Sequence, residues 1–262
     1  NGDRAVLTSQ TERAMVSCVT CLGNYSSICL KGSAGIGKSE TVRELSKMLG
    51  RQCYTIQCSK NHDFRGIAMI FRGIAASGSW ACLDFVSHLL PDVLAIVSSH
   101  MNTLSMALRA EKEEIVLDAV EVPLVNTCAL FATMSREEAA KKACLSDTLR
   151  ANMRTIEMIR PDIRTILEVT LQSLGFAESE VLSKKLHSMY TALHSTTSKT
   201  EWSQIGTMIH LLRNAEKDLR IWTSDGVREA NDQGLPMSES ELLLRVLRET
   251  YTPSLLSLDS VV

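Results

Sequence analysis

A glycine-rich stretch near the amino end of the sequence has the residue types and spacing of a phosphate-binding loop. It reads Gly-Ser-Ala-Gly-Ile-Gly-Lys-Ser over residues 32–39 and fits the pattern G-x-x-x-x-G-K-S. Glycines let the main chain turn tightly and aim its N–H groups at an anion. In such loops the lysine reaches the terminal phosphates, and the next hydroxyl helps to hold Mg²⁺. The predicted phosphate-binding residues are Gly32, Ser33, Ala34, Gly35, Ile36, Gly37, Lys38, Ser39 and Glu40.

The sequence on either side of this loop predicts a strand before it and a helix after it. Ser26–Leu30 is short and apolar, whereas residues 40–49 carry apolar side chains at helical spacing and precede Gly50. A loop in this position places phosphate at a helix amino terminus, where unpaired N–H groups favour anions. The alternative is a glycine-rich turn without a ligand, which spacing alone does not exclude.

A second candidate group is the acid that ends the apolar run Trp80–Asp84. A carboxylate at the carboxyl end of a buried parallel strand lies beside the ligand crevice of such a sheet and holds Mg²⁺ through water. Asp84 and Ser39 are therefore the predicted Mg²⁺ ligands. The alternative is that Asp84 caps the next helix.

The residue after Asp84 decides which chemistry this site can perform. Hydrolysis of a nucleotide needs a group that orients or activates the attacking water, such as a glutamate. Phe85 stands at that position and can neither accept a proton nor polarise water. His88 is the nearest alternative base, but it lies three residues further on. The sequence therefore predicts no confident catalytic residue.

Further apolar runs predict a parallel α/β sheet in the first part of the chain. Four strands separated by helices indicate this class. The strands are predicted at Ser26–Leu30, Cys53–Gln57, Trp80–Asp84 and Thr127–Thr133, with a hairpin at residues 115–122. The helices are predicted at about residues 11–22, 40–49, 64–76, 91–108 and 136–142, with Thr11 as the N-cap of the first.

The character of the sequence changes near residue 160. Beyond it, apolar side chains recur at helical spacing around residues 163–171, 181–193, 202–212 and 242–247, and a polar linker is predicted at residues 195–198. No strand pattern of similar strength follows. We therefore predict an α/β domain over residues 1–160 and a helical domain over residues 161–262.

Composition narrows the class of protein further. The 262 residues are 45% hydrophobic with a formal net charge of −2, which favours neither nucleic acid nor an acidic surface as partner. No apolar run reaches the ~20 residues needed to span a bilayer, and the polar amino end predicts no signal peptide. The eight cysteines are scattered, apart from the C-x-x-C at Cys18 and Cys21. Buried thiols in a reducing, intracellular compartment are the favoured interpretation, with a redox or metal site as the alternative.

Several stretches beyond the loop carry a family pattern. They are Leu7-Thr8 with Thr11-Glu12-Arg13, Gly32–Thr41, Gly50–Cys53, Ser77–Asp84, Asn126–Cys128, Phe131–Met134, Arg160–Asp162 and Ser173–Phe176. In these the chain resembles the first AAA+ module of a dynein heavy chain over nearly its whole length. The S-G-x-W-x-C-x-D stretch over residues 77–84 is more specific than the phosphate loop alone.

This resemblance implies an α/β P-loop NTPase fold of the AAA+ type, a parallel sheet sandwiched by helices and followed by an α-helical lid. It implies ATP or ADP with Mg²⁺ as cofactor, with Leu7 and Thr8 near the adenine. The implied partners are other AAA+ modules of the same chain in a ring, dynein intermediate and light chains, and microtubules. The implied location is cytoskeletal, in the axoneme of a cilium or flagellum or in the cytoplasm.

The chain departs from the family at three positions of the site. Phe85 replaces the family's glutamate, Ser135 replaces the sensor asparagine, and Thr207 stands near the place of the lid arginine. Arg154 either matches an arginine that contacts a neighbouring module's nucleotide or is a surface charge. Because one preorganised catalytic group can be worth ~10² or more in rate, we expect nucleotide binding with weak or no hydrolysis. An active motor ATPase is the alternative.

Overall fold

The structure, a computed structural model, describes residues 4–136, 147–196, 205–224 and 238–259. The chain divides into two compact units, Asn1–Pro161 and Asp162–Val262. The first unit is an α/β structure, and the described part of the second consists of helices and their connections.

A five-stranded parallel sheet forms the centre of the first unit. In chain order the strands are β1 (Ser27–Gly32), β2 (Cys53–Gln57), β3 (Trp80–Asp84), β4 (Glu114–Leu117), β5 (Val120–Pro123), β6 (Ala129–Ser135) and β7 (Met153–Glu157). The sheet has the order β2-β3-β6-β1-β7, and each neighbouring pair is parallel. The predicted parallel sheet is thus confirmed, and the predicted hairpin is found as the antiparallel pair β4–β5.

Strand β7 is a fifth strand of this sheet, for which the sequence predicted only four strands. It pairs with β1 and lies at the edge of the sheet. Arg154, Thr155 and Glu157 on it are exposed, as is common at an edge that must not pair with other chains. The apolar run that marks a buried parallel strand is therefore missing here.

Both faces of the sheet are covered by helices of the first unit. These are α1 (Ser9–Gly23), α2 (Lys38–Met48), α3 (Phe64–Ser77), α4 (Pro91–Arg109) and α5 (Asp147–Asn152). Side chains alternate along a strand, so Ile28 and Leu30 pack with α1 and α2 on one face. Cys29 faces the other side and joins the core that contains α3 and α4. This is the layered fold that the sequence predicted.

The start of α1 differs from the prediction. Thr8, not Thr11, is the N-cap, and Thr11 is the third residue of the helix. The Thr8 N–H donates to the Thr11 hydroxyl oxygen at 2.8 Å, and the Thr11 N–H donates to the Thr8 hydroxyl oxygen at 3.4 Å. This reciprocal pair is a capping box. The prediction was wrong because either threonine alone has the chemistry of a cap.

The second unit is built from the helices α6 (Ile163–Leu174), α7 (Ser179–Thr196), α8 (Ile205–Ser224) and α9 (Glu239–Asp259). Leu167, Leu171, Met208, Leu212 and Leu243 share one buried core in this unit. The predicted linker beyond residue 196, Trp202, and the predicted helix from residue 137 to 142 lie outside the described residues.

The cysteines of the described residues are free thiols, and Cys18 and Cys21 of the C-x-x-C pair lie on α1 and are buried in the core that this helix forms with the sheet. Burial, together with the neighbouring Cys21, raises the pKa of Cys18 to about 12, so this thiol stays protonated. No group of His, Cys, Asp and Glu in the described chain has the arrangement of a metal site. Among the described helices, none combines the length and the apolar character needed to cross a membrane.

Candidate functional site

The predicted site residues meet at the carboxyl edge of the parallel sheet. Strands β3, β6 and β1 are neighbours, and they end respectively at Asp84, Ser135 and the phosphate loop. Ser135 is the register partner of Gly32, the first residue of the loop. Ligands of open α/β sheets bind in the crevice outside this edge, so the fold brings these three groups to one place.

The glycines of the loop adopt backbone conformations that other residues rarely reach. Gly35 has φ 73° and Gly37 has φ 85°, which is the left-handed region favoured by glycine. Gly37 is also the N-cap of α2 and provides no side-chain cap. The first N–H groups of a helix have no partner within it, so the amino end of α2 offers amide donors and a positive dipole end to an anion.

The loop also packs tightly against a residue that sequence reasoning did not identify. A Cβ added to Gly32 would lie 2.9 Å from the carbonyl oxygen of Met158. The Met158 N–H donates to the Lys31 carbonyl oxygen at 2.8 Å, which fixes the chain just beyond β7 beneath the loop. Met158 follows β7, so this contact could have been predicted only if the sequence pattern had revealed that edge strand.

Lys38 is the first residue of α2 and directs its ammonium group into the loop. Its Nζ donates to the carbonyl oxygens of Gly32 at 3.1 Å and of Ser33 at 2.7 Å. The residue is only 7% exposed. The Lys38 ammonium group is therefore held against the carbonyl oxygens of the loop, close to the concave side where a phosphate would bind.

The predicted Mg²⁺ ligands are in direct contact. The Ser39 hydroxyl donates to Asp84 Oδ1 at 2.5 Å, and the Thr133 hydroxyl donates to the same oxygen. Asp84 is buried and ends its strand next to the loop. Hard oxygen ligands, few in number, suit a Mg²⁺ that keeps several waters and is shared with phosphates. These residues therefore fit the ion that the sequence predicts.

Thr133 is a residue of the site that sequence reasoning missed. Its hydroxyl donates to Asp84 and accepts the N–H of Phe85 at 3.2 Å, so it joins the acid to the next peptide group. It is only 1% exposed. Thr133 lies near the carboxyl end of β6, which is the neighbour of β3 in the sheet. The sequence does not show this proximity, because it depends on the strand order.

Replacing Thr133 with valine tests this connection, because valine keeps the shape and removes the hydroxyl. We expect the free energy of unfolding to fall by about 1–3 kcal/mol, since buried polar groups lose a partner. We also expect Mg²⁺ to strengthen ATP binding less than in the parent chain. Urea unfolding and Mg²⁺ titration measure the two effects.

The matched control is Thr20→Val on α1, where an exposed hydroxyl donates to the Val16 carbonyl oxygen. This change should leave stability and Mg²⁺ dependence nearly unchanged. Equal effects from both valines would contradict the role given to Thr133.

Phe85 occupies the position after Asp84 in an unusual conformation. Its φ of 55° lies in the left-handed region, which is uncommon for a bulky residue. Its side chain is 38% exposed and stacks on His88, with ring centroids 5.5 Å apart and ring planes 10° apart. The position after Asp84, where a hydrolytic site needs a carboxylate, is thus occupied by an aromatic ring. His88, the candidate base named above, packs against this ring.

The segment before α1 is attached to α2 by one buried carboxylate. Glu44 on α2 accepts hydrogen bonds from the Arg4 guanidinium and from the Ala5 N–H, the latter at 3.2 Å. Lys47 lies 3.6 Å from it. Leu7 and Thr8, the residues predicted near the adenine, follow immediately and lead into α1. Sequence reasoning missed Glu44, since its partners lie about forty residues away.

The ionisation of Glu44 makes this attachment dependent on pH. Burial alone would raise its pKa, but the hydrogen bonds from Ala5 and Arg4 and the charges of Arg4 and Lys47 outweigh burial and lower the pKa below the ordinary 4.5. A carboxyl group with a depressed pKa stabilises the folded state above its unfolded value, and this stability is lost as pH falls through the folded value.

We therefore expect the Glu44→Gln variant to be less stable than the parent at pH 7, by about 1–2 kcal/mol, since a charged acceptor is lost. The difference should shrink as pH falls below 4.5, where the parent's carboxyl group also becomes neutral. Urea unfolding of both chains between pH 3 and pH 7 measures it. A difference that stays constant over this range would contradict the prediction.

Two further residues of the sequence analysis remain outside this constellation. Arg154 is an exposed residue of the edge strand β7, and it lines a surface cavity with Cys21 rather than the carboxyl edge of the sheet. Thr207 belongs to α8, but its side chain lies outside the described part of the chain. The proposed roles of both positions stay predictions.

Comparison with protein families matches the whole chain to one description. Residues 1–262 match the family model "Hydrolytic ATP binding site of dynein motor region". Dynein axonemal heavy chain 1 of mouse and of human are each 31% identical over 259 residues. Mouse dynein axonemal heavy chain 2 is 30% identical over 261 residues. These matches cover 99% of this chain and 6% of each relative, so the chain spans a small part of their length.

Solved structures show the same fold at much lower identity. A RuvB mutant of Thermotoga maritima superposes with a TM-score of 0.58 at 13% identity, covering 92% of this chain and 70% of that one. A second RuvB mutant of the same organism gives 0.56 at 11% identity. At such identity the likeness concerns the fold alone.

Proposed function

Because this chain belongs to the family of the hydrolytic ATP-binding region of the dynein motor, we propose that it holds ATP or ADP with Mg²⁺ and hydrolyses ATP slowly or not at all. The observation that carries this proposal is the combination of a complete phosphate loop, Lys38 and Ser39 included, with Phe85 beside Asp84. Binding depends on the first group, whereas the activation of water depends on a base that Phe85 cannot replace.

The roles of the individual residues follow from the contacts described above. Residues 32–40 would cradle the phosphates, with Lys38 neutralising their charge and the α2 amino end donating N–H groups. Ser39 and Asp84 would hold Mg²⁺, which supplies charge neutralisation between the phosphates. Leu7 and Thr8 would lie on the adenine side. Ser135, beside Gly32, can still donate a hydrogen bond but is shorter than the asparagine of the family.

The second candidate function is an active ATPase that drives microtubule-based dynein movement. The observation that favours it is the stacking of His88 on Phe85, which brings an imidazole close to the position of the missing carboxylate. If His88 is the base, His88→Gln should abolish ATP turnover and leave ATP binding intact.

Nucleotide analysis of the purified protein separates these two proposals. We expect co-purified or added ATP to remain largely unhydrolysed over hours. We expect ADP to bind to the protein as well. Steady-state release of phosphate that disappears in Lys38→Ala and in His88→Gln would favour the active enzyme instead. A protein that binds neither ATP nor ADP at millimolar concentration would contradict both.

Membership of the family also supports proposals about the larger protein. We propose that residues 1–160 form the nucleotide domain of a ring module, that residues 161–262 form its lid, and that further AAA+ modules of the same chain complete the ring. Dynein intermediate and light chains and microtubules are the proposed partners. A cytoskeletal location in an axoneme is proposed because the similar heavy chains are named axonemal.

A further inference from the structure

The main chain before α1 is fixed at two points. Arg4–Thr8, here called the entry segment, is held at its first residues by Glu44 through the Arg4 guanidinium and the Ala5 N–H. At its last residue it is held by the capping box between Thr8 and Thr11. Glu44 itself is only 2% exposed, whereas the Arg4 side chain is 66% exposed, so the carboxylate side of this attachment is shielded from water.

These attachments also fix the entry segment relative to the phosphate loop. Glu44 lies six residues after Lys38 on α2, which is roughly 9 Å along a helix. Ala14 of α1, Ile36 of the loop and Val42 of α2 belong to one buried core. The loop, α2 and the start of α1 are therefore packed as one body, and Glu44 ties the entry segment to it.

Two residues within this segment have main-chain groups without a hydrogen-bond partner in the described part of the chain. No described residue donates to or accepts a hydrogen bond from the main-chain groups of Val6 and Leu7. Leu7 is 40% exposed although it is apolar. A segment that is held at both ends, with an exposed apolar side chain and with peptide groups that no described residue pairs, has the chemistry to contact both the face and the edge of a nucleobase.

Only this side of the site can distinguish adenine from guanine, since both nucleotides carry the same phosphates. Adenine offers its N6 amino group as a donor where guanine offers O6 as an acceptor. A main-chain carbonyl oxygen therefore suits adenine, and a main-chain N–H suits guanine. A fixed segment presents one of the two, whereas a loose segment can shift by one peptide group and accept either base.

We propose that Glu44 is a positioning residue that sets the preference of this site for adenine by holding the entry segment in place. The proposal rests on the proposed function, because it assumes that the phosphates occupy the loop. Glu44 acts through the segment and does not touch the ligand. Its loss should therefore affect ligands that contain a base and spare a ligand that consists of phosphates alone.

The test compares Glu44→Gln with the parent chain for three ligands: Mg-ATP, Mg-GTP and Mg-tripolyphosphate. We expect ATP to bind about tenfold more weakly, as befits the loss of hydrogen bonds to a charged group. Tripolyphosphate should change by less than about twofold, and the preference for ATP over GTP should fall. Glu121→Gln is the matched control, because it neutralises an exposed carboxylate on β5 and should leave all three affinities unchanged.

A second variant guards against misfolding of Glu44→Gln. Arg4→Ala removes one partner of Glu44 from an exposed position and leaves the Ala5 N–H in place, so we expect the same pattern at about threefold. Equal losses for ATP and tripolyphosphate would overturn the proposal and assign Glu44 to the loop alone. Unchanged ATP affinity in both variants would also overturn it. A parent chain that binds tripolyphosphate without preferring ATP would refute this proposal alone, whereas one that binds none of the three would refute the proposed function.

Discussion

Replacing Lys38 with alanine should weaken the binding of Mg-ATP by about a hundredfold or more. The ammonium group is nearly buried and already contacts the loop carbonyls of Gly32 and Ser33. Charge-assisted hydrogen bonds to phosphate are roughly twice as strong as neutral ones, and the loss of one or two of them corresponds to about this factor. The proposed function depends on this residue more than on any other.

Thermal unfolding with and without Mg-ATP measures the effect. A ligand that binds only the folded state stabilises it by about 2.7 kcal/mol when present at a hundred times its Kd. The melting temperature of the parent chain should rise under these conditions, and that of Lys38→Ala should rise far less, since a hundredfold weaker Kd leaves only about 0.4 kcal/mol of stabilisation. Lys112→Ala, which removes an exposed lysine in the loop before β4, should behave like the parent. An equal rise in Lys38→Ala would show that the nucleotide binds elsewhere.

Replacing Phe85 with glutamate should raise ATP turnover at least about tenfold above that of the parent. A positioned general base contributes about 10²–10⁴-fold to such reactions, and we place the minimum gain below this range because Ser135 stands where the resemblance implies an asparagine. The substitution is compatible with the fold, because Phe85 is partly exposed and packs on His88 rather than within a core.

Single-turnover measurement of phosphate release is the readout, and Phe85→Gln is the matched control. Glutamine resembles glutamate in shape but cannot accept the proton, so this variant should stay at the parent's rate. If the parent already hydrolyses ATP rapidly and glutamate adds nothing, Phe85 does not limit the rate of hydrolysis, and the active ATPase becomes the preferred function.

The sequence alone was enough to predict those parts of the fold that depend on local pattern. Strands β1, β2, β3 and β6 are apolar runs next to turn residues, and the loop is a motif of fixed spacing. These features place Lys38, Ser39 and Asp84 at strand and helix ends without any knowledge of the tertiary structure.

Other parts of the site depend on contacts between distant residues, which a local pattern does not contain. Thr133 contacts Asp84 because β6 lies beside β3, and 49 residues separate the two. Glu44 contacts Arg4 across 40 residues and resembles any surface glutamate of a helix in the sequence. Strand β7 was not predicted because Arg154 and Glu157 leave it without a continuous apolar run, which an edge strand does not need.

Phe85 and Ser135, the positions at which the chain departs from the family pattern beside the sheet, both lie at the carboxyl ends of strands. This location has an evolutionary consequence. Phe85 follows the last residue of β3 and is 38% exposed, and Ser135 is the last residue of β6 and is only partly buried. Under the proposed function, a mutation at either position would abolish cleavage without disturbing the hydrophobic cores or the phosphate loop. Natural selection can therefore act on cleavage and on nucleotide binding separately. Under the proposed function, a lineage would pass from an enzyme that hydrolyses ATP to a domain that only binds it through single substitutions at these two positions.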